Sequence, residues 1–380
     1  MALTVGVSKE TAPGEHRVAM TPKALDILGK LGIETWMEKG AGLDAGFPDS
    51  EYSAKGVKWA SDADEVREKA QVLLQVRVTE TQGLNTSHTV IGFCDPLSEP
   101  AFAAKVAGTG ASLYSVELVP RITRAQSMDA LSSMASIAGY KAVLLAAEAL
   151  PRMFPMMMTA AGTVPAARAL IIGAGVAGLQ AIATARRLGA VVMGYDVRAA
   201  VREQIESLGA RFLQIDLGGA SGEGQGGYAK QLTEADYQRQ RDQMALAMKE
   251  QDVVITTAAV PGKRAPILIT KEMVRVMAPG SVIVDIAAER GGNCELTRAG
   301  ETVIDNGVHI IGPVNLPSSV PYHASMMYSR NLATFLKNMV KDGQLNVNME
   351  DEIIRESLVA QGGKVVHPRV QALLQTAVQA

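Results

Sequence analysis

The sequence predicts an α/β protein made of two open, mainly parallel-sheet domains joined by a long strut helix. Three observations carry that expectation. Short β-like runs alternate with helical stretches from Leu3 to Val116, and a second series of the same kind begins at Arg168. Between them an unbroken run rich in Ala, Leu, Met and Ser extends from Thr123 to Glu148, well beyond the mean helix of ~11–12 residues. Strand–helix alternation is the grammar of a parallel sheet covered on both faces.

Leu3–Val7 reads as the first strand. Thr21 followed by Pro22 is an N-cap with proline at the first helical position, opening a helix that Gly32 stops. Thr35–Glu38, Val72–Val76, Thr89–Phe93 and Ser112–Val116 continue the series. Beyond the strut, strands are expected at Arg168–Ile172, Val191–Tyr195, Arg211–Ile215, Val253–Thr256 and Val282–Ile286. Thr302–Ile304 and Val308–Ile311 flank Asp305-Asn306-Gly307, a tight-hairpin signal. The tail, Pro321–Val340 and the alternating segment Leu345–Val366, has no core of its own and is expected to return to the first domain. That gives a discontinuous first domain, 1–125 plus 320–380, a second domain over 126–319, and a cofactor cleft between the two.

Composition narrows the class. A chain of 380 residues suits two or three domains of ~100–200 residues each. With 47% hydrophobic and 20% charged residues it is an ordinary globular sequence, and a formal net charge of -2 argues against a nucleic-acid footprint or a polybasic membrane patch. Two cysteines, Cys94 and Cys294, exclude a disulfide scaffold and a Cys-rich metal site, and they suit a reducing cytosol. The start lacks a signal peptide's basic region and apolar run. The charge-free stretches Met153–Ala167 and Ala169–Ala185 are broken by prolines or glycines, so no direct membrane insertion is expected. The 36 glycines beside 4% aromatics suggest close helix–strand packing and backbone pressed against a ligand.

The sharpest motif is Gly173-Ala174-Gly175-Val176-Ala177-Gly178, after the apolar run Ala169–Ile172 and opening an Ala-rich helix. The following strand ends at Asp196, close to the ~20-residue spacing of a Rossmann-like dinucleotide site. Gly173 permits the tight turn, Gly175 lets the backbone approach the pyrophosphate, and Gly178 lets helix and strand pack closely. The helix N-terminus offers unpaired N–H groups and a positive dipole end. Asp196 favours NAD(H), since a carboxylate there accepts ribose hydroxyls and repels a 2′-phosphate. Arg198 complicates that choice, because a nearby arginine can welcome a phosphate.

Gly218–Gly227 holds six glycines in ten residues and is followed by Tyr228. It reads either as a surface linker or as a mobile lid whose tyrosine shields the nucleotide. In the segment Arg121–Asp129, Gln126, Asp129 and either Ser132 or Ser133 fall on one helical face by spacing. That is either a polar helix start or a lining of the cleft, with Arg121 able to pair with Asp129 or meet pyrophosphate. His16, His88, His309, His323 and His367 form no ligand-spaced pair, so no metal is expected. No GxSxG elbow or Walker loop is present.

Six stretches together resemble one family: Arg121–Asp129, Met156–Pro165, the Gly173–Gly178 loop, Gly226–Lys230, Pro261–Lys263 and Gly291–Cys294. They look like the NAD(H)-binding component, in its separate alpha-1 form, of proton-translocating NAD(P) transhydrogenase, and the likeness runs over nearly the whole chain. The resemblance implies hydride transfer from NADH bound here to NADP+ on a partner NADP(H)-binding domain. Membrane-spanning subunits would couple that transfer to proton translocation. It further implies a homodimer, held at the cytoplasmic side of the inner membrane through those partners. By the same likeness Arg121, Gln126, Asp129 and Ser132 orient the nicotinamide end, with Gln126 nearest the partner's nicotinamide and Ile122 and Thr123 beside it. Val176, Asp196, Val197, Arg198, Gly227, Gln240 and Ala259 line the rest, with Tyr228 on the mobile loop. Two departures stand out: Ala259-Val260 replaces a bulkier pair, and Thr123 stands where serine is common.

The alternative is an alanine dehydrogenase-like amino-acid dehydrogenase, which shares the fold. By likeness Arg17 would hold its substrate carboxylate, Arg77 would stand in place of its lysine, and Glu289 in place of its aspartate. Its general acid would be a histidine where this chain has Ile91–Leu97, and there is none. Reductive amination moves protons as well as hydride, whereas transfer between two nicotinamides needs alignment and dryness.

Overall fold

A computed structural model describes residues 2–215, 233–260 and 262–379. The chain forms two compact units, residues 1–134 with 317–380 and residues 135–316. Each has its own sheet and core.

The first unit carries an eight-stranded sheet. From edge to edge it runs Lys364–Val365, Leu358–Gln361, Ser112–Ser115, Thr89–Phe93, Val72–Arg77, Thr4–Val7, Glu34–Glu38 and Lys58–Ala60. Only the two C-terminal strands are antiparallel. The central strands are near-continuous apolar runs, with Val5, Val7, Val72, Leu74, Val90 and Ile91 fully buried, as expected of strands covered on both faces. Leu345–Val366, read as one alternating segment, is broken by a helix at Glu352–Ser357, and only Leu358–Gln361 and Lys364–Val365 join this sheet. Thr21 sits at the N-cap of the helix Pro22–Gly29, but its hydroxyl makes no cap bond. It pairs instead with the Ser329 hydroxyl at 2.8 Å, tying that helix to the long helix Pro321–Met339.

The second unit holds a seven-stranded sheet in the order Arg211–Phe212, Val191–Tyr195, Arg168–Ile172, Val253–Thr256, Val282–Asp285, Val308–Ile311, Thr302–Asp305. All neighbours are parallel except the last pair. Asn306 and Gly307 turn that hairpin with φ of 49° and 76°. The strand expected at Arg211–Ile215 stops after two residues. A further hairpin, Met157–Thr159 with Gly162–Val164, carries no clear signal in the sequence; both of its strands are exposed throughout. The order reverses at Arg168–Ile172, whose C-terminal end is the switch point where such sheets take ligands.

The long helix corrects the sequence reading. Thr123–Met128 is a 3-10 turn, Asp129 is non-helical at φ -74° and ψ 87°, and the α-helix runs from Ala130 to Ala149. The break comes from Asp129 itself. Its carboxylate accepts the Ser132 N–H at 2.9 Å and the Ser132 hydroxyl at 2.6 Å, so it caps the helix rather than lying inside it. Gln126, Asp129 and Ser132 therefore do not share one helical face. The helix Ala130–Ala149 is long and apolar enough to cross a bilayer. Its Ala142, Val143 and Ala146 are fully buried in the core of the second unit.

Candidate nucleotide-binding site

In the second unit the chain leaves Ile172, turns at Gly173 with φ 96°, and enters the helix Val176–Arg187 through Gly175. Two of the three glycines are required by the fold. A Cβ on Gly178 would lie 1.8 Å from the Gly173 carbonyl, and one on Gly173 would lie 2.5 Å from Thr257 Oγ1. The Thr257 hydroxyl donates to the Gly173 carbonyl at 3.1 Å, holding the loop to the neighbouring strand. Gly175 differs, because a Cβ there would meet nothing within 4 Å and its φ of -77° suits any residue. Chain packing gives no reason for glycine at this position. A ligand approaching the helix N-terminus does.

Asp196 ends the next strand and is buried. Its Oδ2 accepts the Ala174 N–H at 2.8 Å, so the carboxylate fastens the glycine loop. Arg198 donates to Oδ1 from its backbone N–H (2.9 Å) and Nε (2.8 Å), and to Oδ2 from Nη2 (2.7 Å). A carboxylate has about four lone-pair sites, so ribose hydroxyls reach Asp196 only as Arg198 gives way. Val197 is half-buried, and Val176, at the first turn of the helix, is 40% exposed.

Gln240 lies on the helix Glu234–Met248. It is buried, and its Oε1 has no hydrogen-bond partner among the described residues, an orphaned acceptor that a bound ligand would satisfy. The loop carrying Ala259, which is exposed, is set by Asn293. That side chain accepts the Ala258 N–H at 3.0 Å and donates to the carbonyls of Ala258 and Pro266. Asn293 is held in turn by fully buried Asp285, whose carboxylate accepts from the amides of Ala287, Asn293 and Cys294 and the hydroxyls of Thr256 and Thr297. Asp285 carries no local signal in the sequence, because its partners come from four separate stretches. Gly227 and Tyr228, with the rest of the glycine-rich segment, lie outside the described residues.

In the first unit Arg121, Thr123 and Gln126 are exposed and Ile122 is half-buried. The Gln126 side chain makes no hydrogen bond among the described residues, while Asp129 and Ser132 are bonded to each other. At the switch point of this sheet, between Thr4–Val7 and Val72–Arg77, buried charges gather. Arg17 forks onto Glu15 with Nε and Nη2 at 2.7 and 2.6 Å, and Arg77 approaches the same carboxylate at 3.4 Å. Glu10 accepts the Val76 and Arg77 amides, and burial pushes its carboxyl up to about 7. Burial likewise raises Glu117, which accepts the amides of Cys94 and Asp95. Burial pushes the Cys94 thiol well up and the Cys294 thiol to about 11, so neither is a ready nucleophile.

A glycine loop and an acidic strand end at the switch point of an open parallel sheet define a dinucleotide-binding protein. The chain belongs to the alanine dehydrogenase/PNT family: its N-terminal domain model matches residues 6–138 and its C-terminal domain model residues 142–368. The chain is 44% identical to the first of the separate alpha polypeptides of NAD(P) transhydrogenase from Rhodospirillum rubrum, over 96% of this chain and 98% of that one. A crystal structure of a transhydrogenase from Sinorhizobium meliloti matches with a TM-score of 0.86 at 45% identity, over 96% of this chain and 100% of that one. An L-alanine dehydrogenase structure matches with a TM-score of 0.83 at 24% identity, over 98% and 99% of the two chains, a likeness of fold. These relatives support a transhydrogenase first domain.

Proposed function

We propose that this chain is the NAD(H)-binding component of a proton-translocating transhydrogenase, acting with an NADP(H)-binding domain and membrane-spanning subunits. Bound NADH supplies the hydride. The chain's own residues bind, orient and keep water out. Gly173, Gly175, Val176 and Gly178 receive the pyrophosphate on the helix N-terminus. Asp196 takes the ribose hydroxyls in exchange for part of its hold on Arg198, with Val197, Gln240 and Ala259 completing that end. Arg121, Ile122, Thr123, Gln126, Asp129 and Ser132 set the nicotinamide end. On the same reading the chain works as a homodimer at the cytoplasmic face of the inner membrane, held there by its partners.

The observation that carries the reading is the chemistry of the Thr123–Asp129 turn. Gln126 cannot titrate, and Asp129 is committed to capping the next helix through Ser132. Such a set aligns a ring and exchanges no proton with it, which is what transfer between two nicotinamides requires. An amino-acid dehydrogenase needs an acid–base group as well. Here the stretch Ile91–Leu97 offers no histidine, and Arg17 is closed onto Glu15.

The test is hydride transfer from NADPH to an NAD+ analogue, with and without a purified NADP(H)-binding partner domain. A parallel sample holds NADH, pyruvate, ammonium and this chain alone. Transfer that depends on the partner, with the parallel sample silent, is the expected result. Turnover with pyruvate and ammonium would make the chain an alanine dehydrogenase.

A further inference from the structure

The turn Thr123–Met128 has the poorer hydrogen-bond geometry of a 3-10 helix, so its shape depends on what its side chains grip. Arg124 closes on Asp351 with both terminal nitrogens, Nη1 at 2.9 Å and Nη2 at 2.6 Å. The Asp351 carboxylate also takes the Asn338 amide at 3.0 Å and the Ile353 N–H at 2.8 Å. The Arg124 guanidinium beside it holds the Asp351 carboxyl well below the usual carboxylate range. Ala125 is fully buried and Met128 nearly so. Asn331, from the helix Pro321–Met339, donates to the Ser127 carbonyl at 2.9 Å, and Asp129 caps the next helix. Gln126 sits in the middle of these anchors, its own side chain exposed and unbonded among the described residues.

We propose that Arg124, Asp351 and Asn331 are positioning residues for Gln126. Contacts from more than 200 residues away hold the chain on either side of that residue so that its side chain faces the reacting partner. The inference rests on the role given to Gln126 above. Bidentate geometry and the shared Asn338 set this pair apart from an ordinary surface ion pair. A misplacement of about 1 Å in an aligning group can cost on the order of 100-fold in rate, so a modest loosening of the turn is visible in transfer.

The experiment uses the full chain with the NADP(H)-binding partner domain and the variants Arg124→Ala, Asp351→Ala, Asp351→Asn and Asn331→Ala. Expected for both alanine variants of the ion pair is single-turnover transfer at saturating nucleotide roughly tenfold slower or more, with NADH affinity within about twofold of wild type. Asn331→Ala slows transfer in the same way. Asp351→Asn, which keeps an acceptor and the helix cap, loses less. The double variant Arg124→Ala/Asp351→Ala is no slower than the worse single, since the two act as one unit. Unchanged transfer in a folded Arg124→Ala chain overturns the proposal, as does a loss that merely follows NADH affinity or melting temperature. Amide hydrogen exchange over Thr123–Met128 decides the point separately. Faster exchange in Asp351→Ala supports the clamp and unchanged exchange refutes it, even if the wild-type chain transfers nothing and the functional reading itself fails.

Discussion

The glycine loop of the second unit and the Thr123–Asp129 turn of the first are built in opposite ways. The loop is a backbone device. Its shape follows from three glycines, one strand and one helix, and its long-range supports are the Thr257 hydroxyl and the Asp196 carboxylate. The turn is a side-chain device, whose form depends on Asp351 and Asn331 far along the chain. A backbone device receives a ligand common to many enzymes, whereas a side-chain device sets one alignment for one reaction. Substitutions should therefore separate binding from transfer.

The largest effect is expected at Gly178. Its Cβ would lie 1.8 Å from the Gly173 carbonyl, so Gly178→Ala must move helix or strand, at about 1–3 kcal/mol or more. Nucleotide titration should show NADH affinity falling at least 100-fold, and urea unfolding should show the stability loss. If Gly178→Ala binds NADH as wild type, the loop is not the site. Gln126→Asn should slow transfer by about tenfold or more with NADH affinity nearly unchanged.

A third effect belongs to the buried charges of the first unit. Glu10 has its carboxyl raised to about 7 by burial, with Glu15 opposing and Arg17 favouring its charge. The folded protein then holds a proton that the unfolded chain releases near 4.5. Stability from this group is full below about pH 4.5, falls as pH rises to about 7, and is flat above, the loss being at most about 3 kcal/mol. Chemical unfolding between pH 5 and 8 should show that slope, and Glu10→Gln should remove it. A slope that persists in Glu10→Gln assigns it to another group.

The smallest structural effect is at Gly175. Because its Cβ meets nothing, Gly175→Ala should cost under about 0.5 kcal/mol while weakening NADH by roughly tenfold. A destabilised chain with normal affinity would make Gly175 a folding residue.

The same contrast explains what is legible in the sequence. Parallel strands are continuous apolar runs, so Val72–Val76 and Val253–Thr256 can be read directly, as can the loop between Ile172 and Val176. Asp129 reads as the interior of a long helix because an Ala- and Ser-rich stretch carries strong helical periodicity through a residue whose carboxylate stops it. Thr21 has the right cap position, yet its hydroxyl finds Ser329, 308 residues away. Arg198 is visible as a complication, but its grip on Asp196 is not, and Asp351 and Asn293 carry no local signal at all. Local chemistry announces backbone devices; side-chain networks appear only once the chain has folded.

Single-turnover transfer at saturating nucleotide, with Gly175→Ala and Gln126→Asn side by side in the presence of the partner domain, tests this division of labour most directly. The expected result is opposite behaviour: saturation restores Gly175→Ala to near the wild-type rate and leaves Gln126→Asn slow. Rescue of Gln126→Asn by saturation would make Gln126 a binding residue, and a Gly175→Ala chain that stays slow when full would place the loop in the transfer step itself.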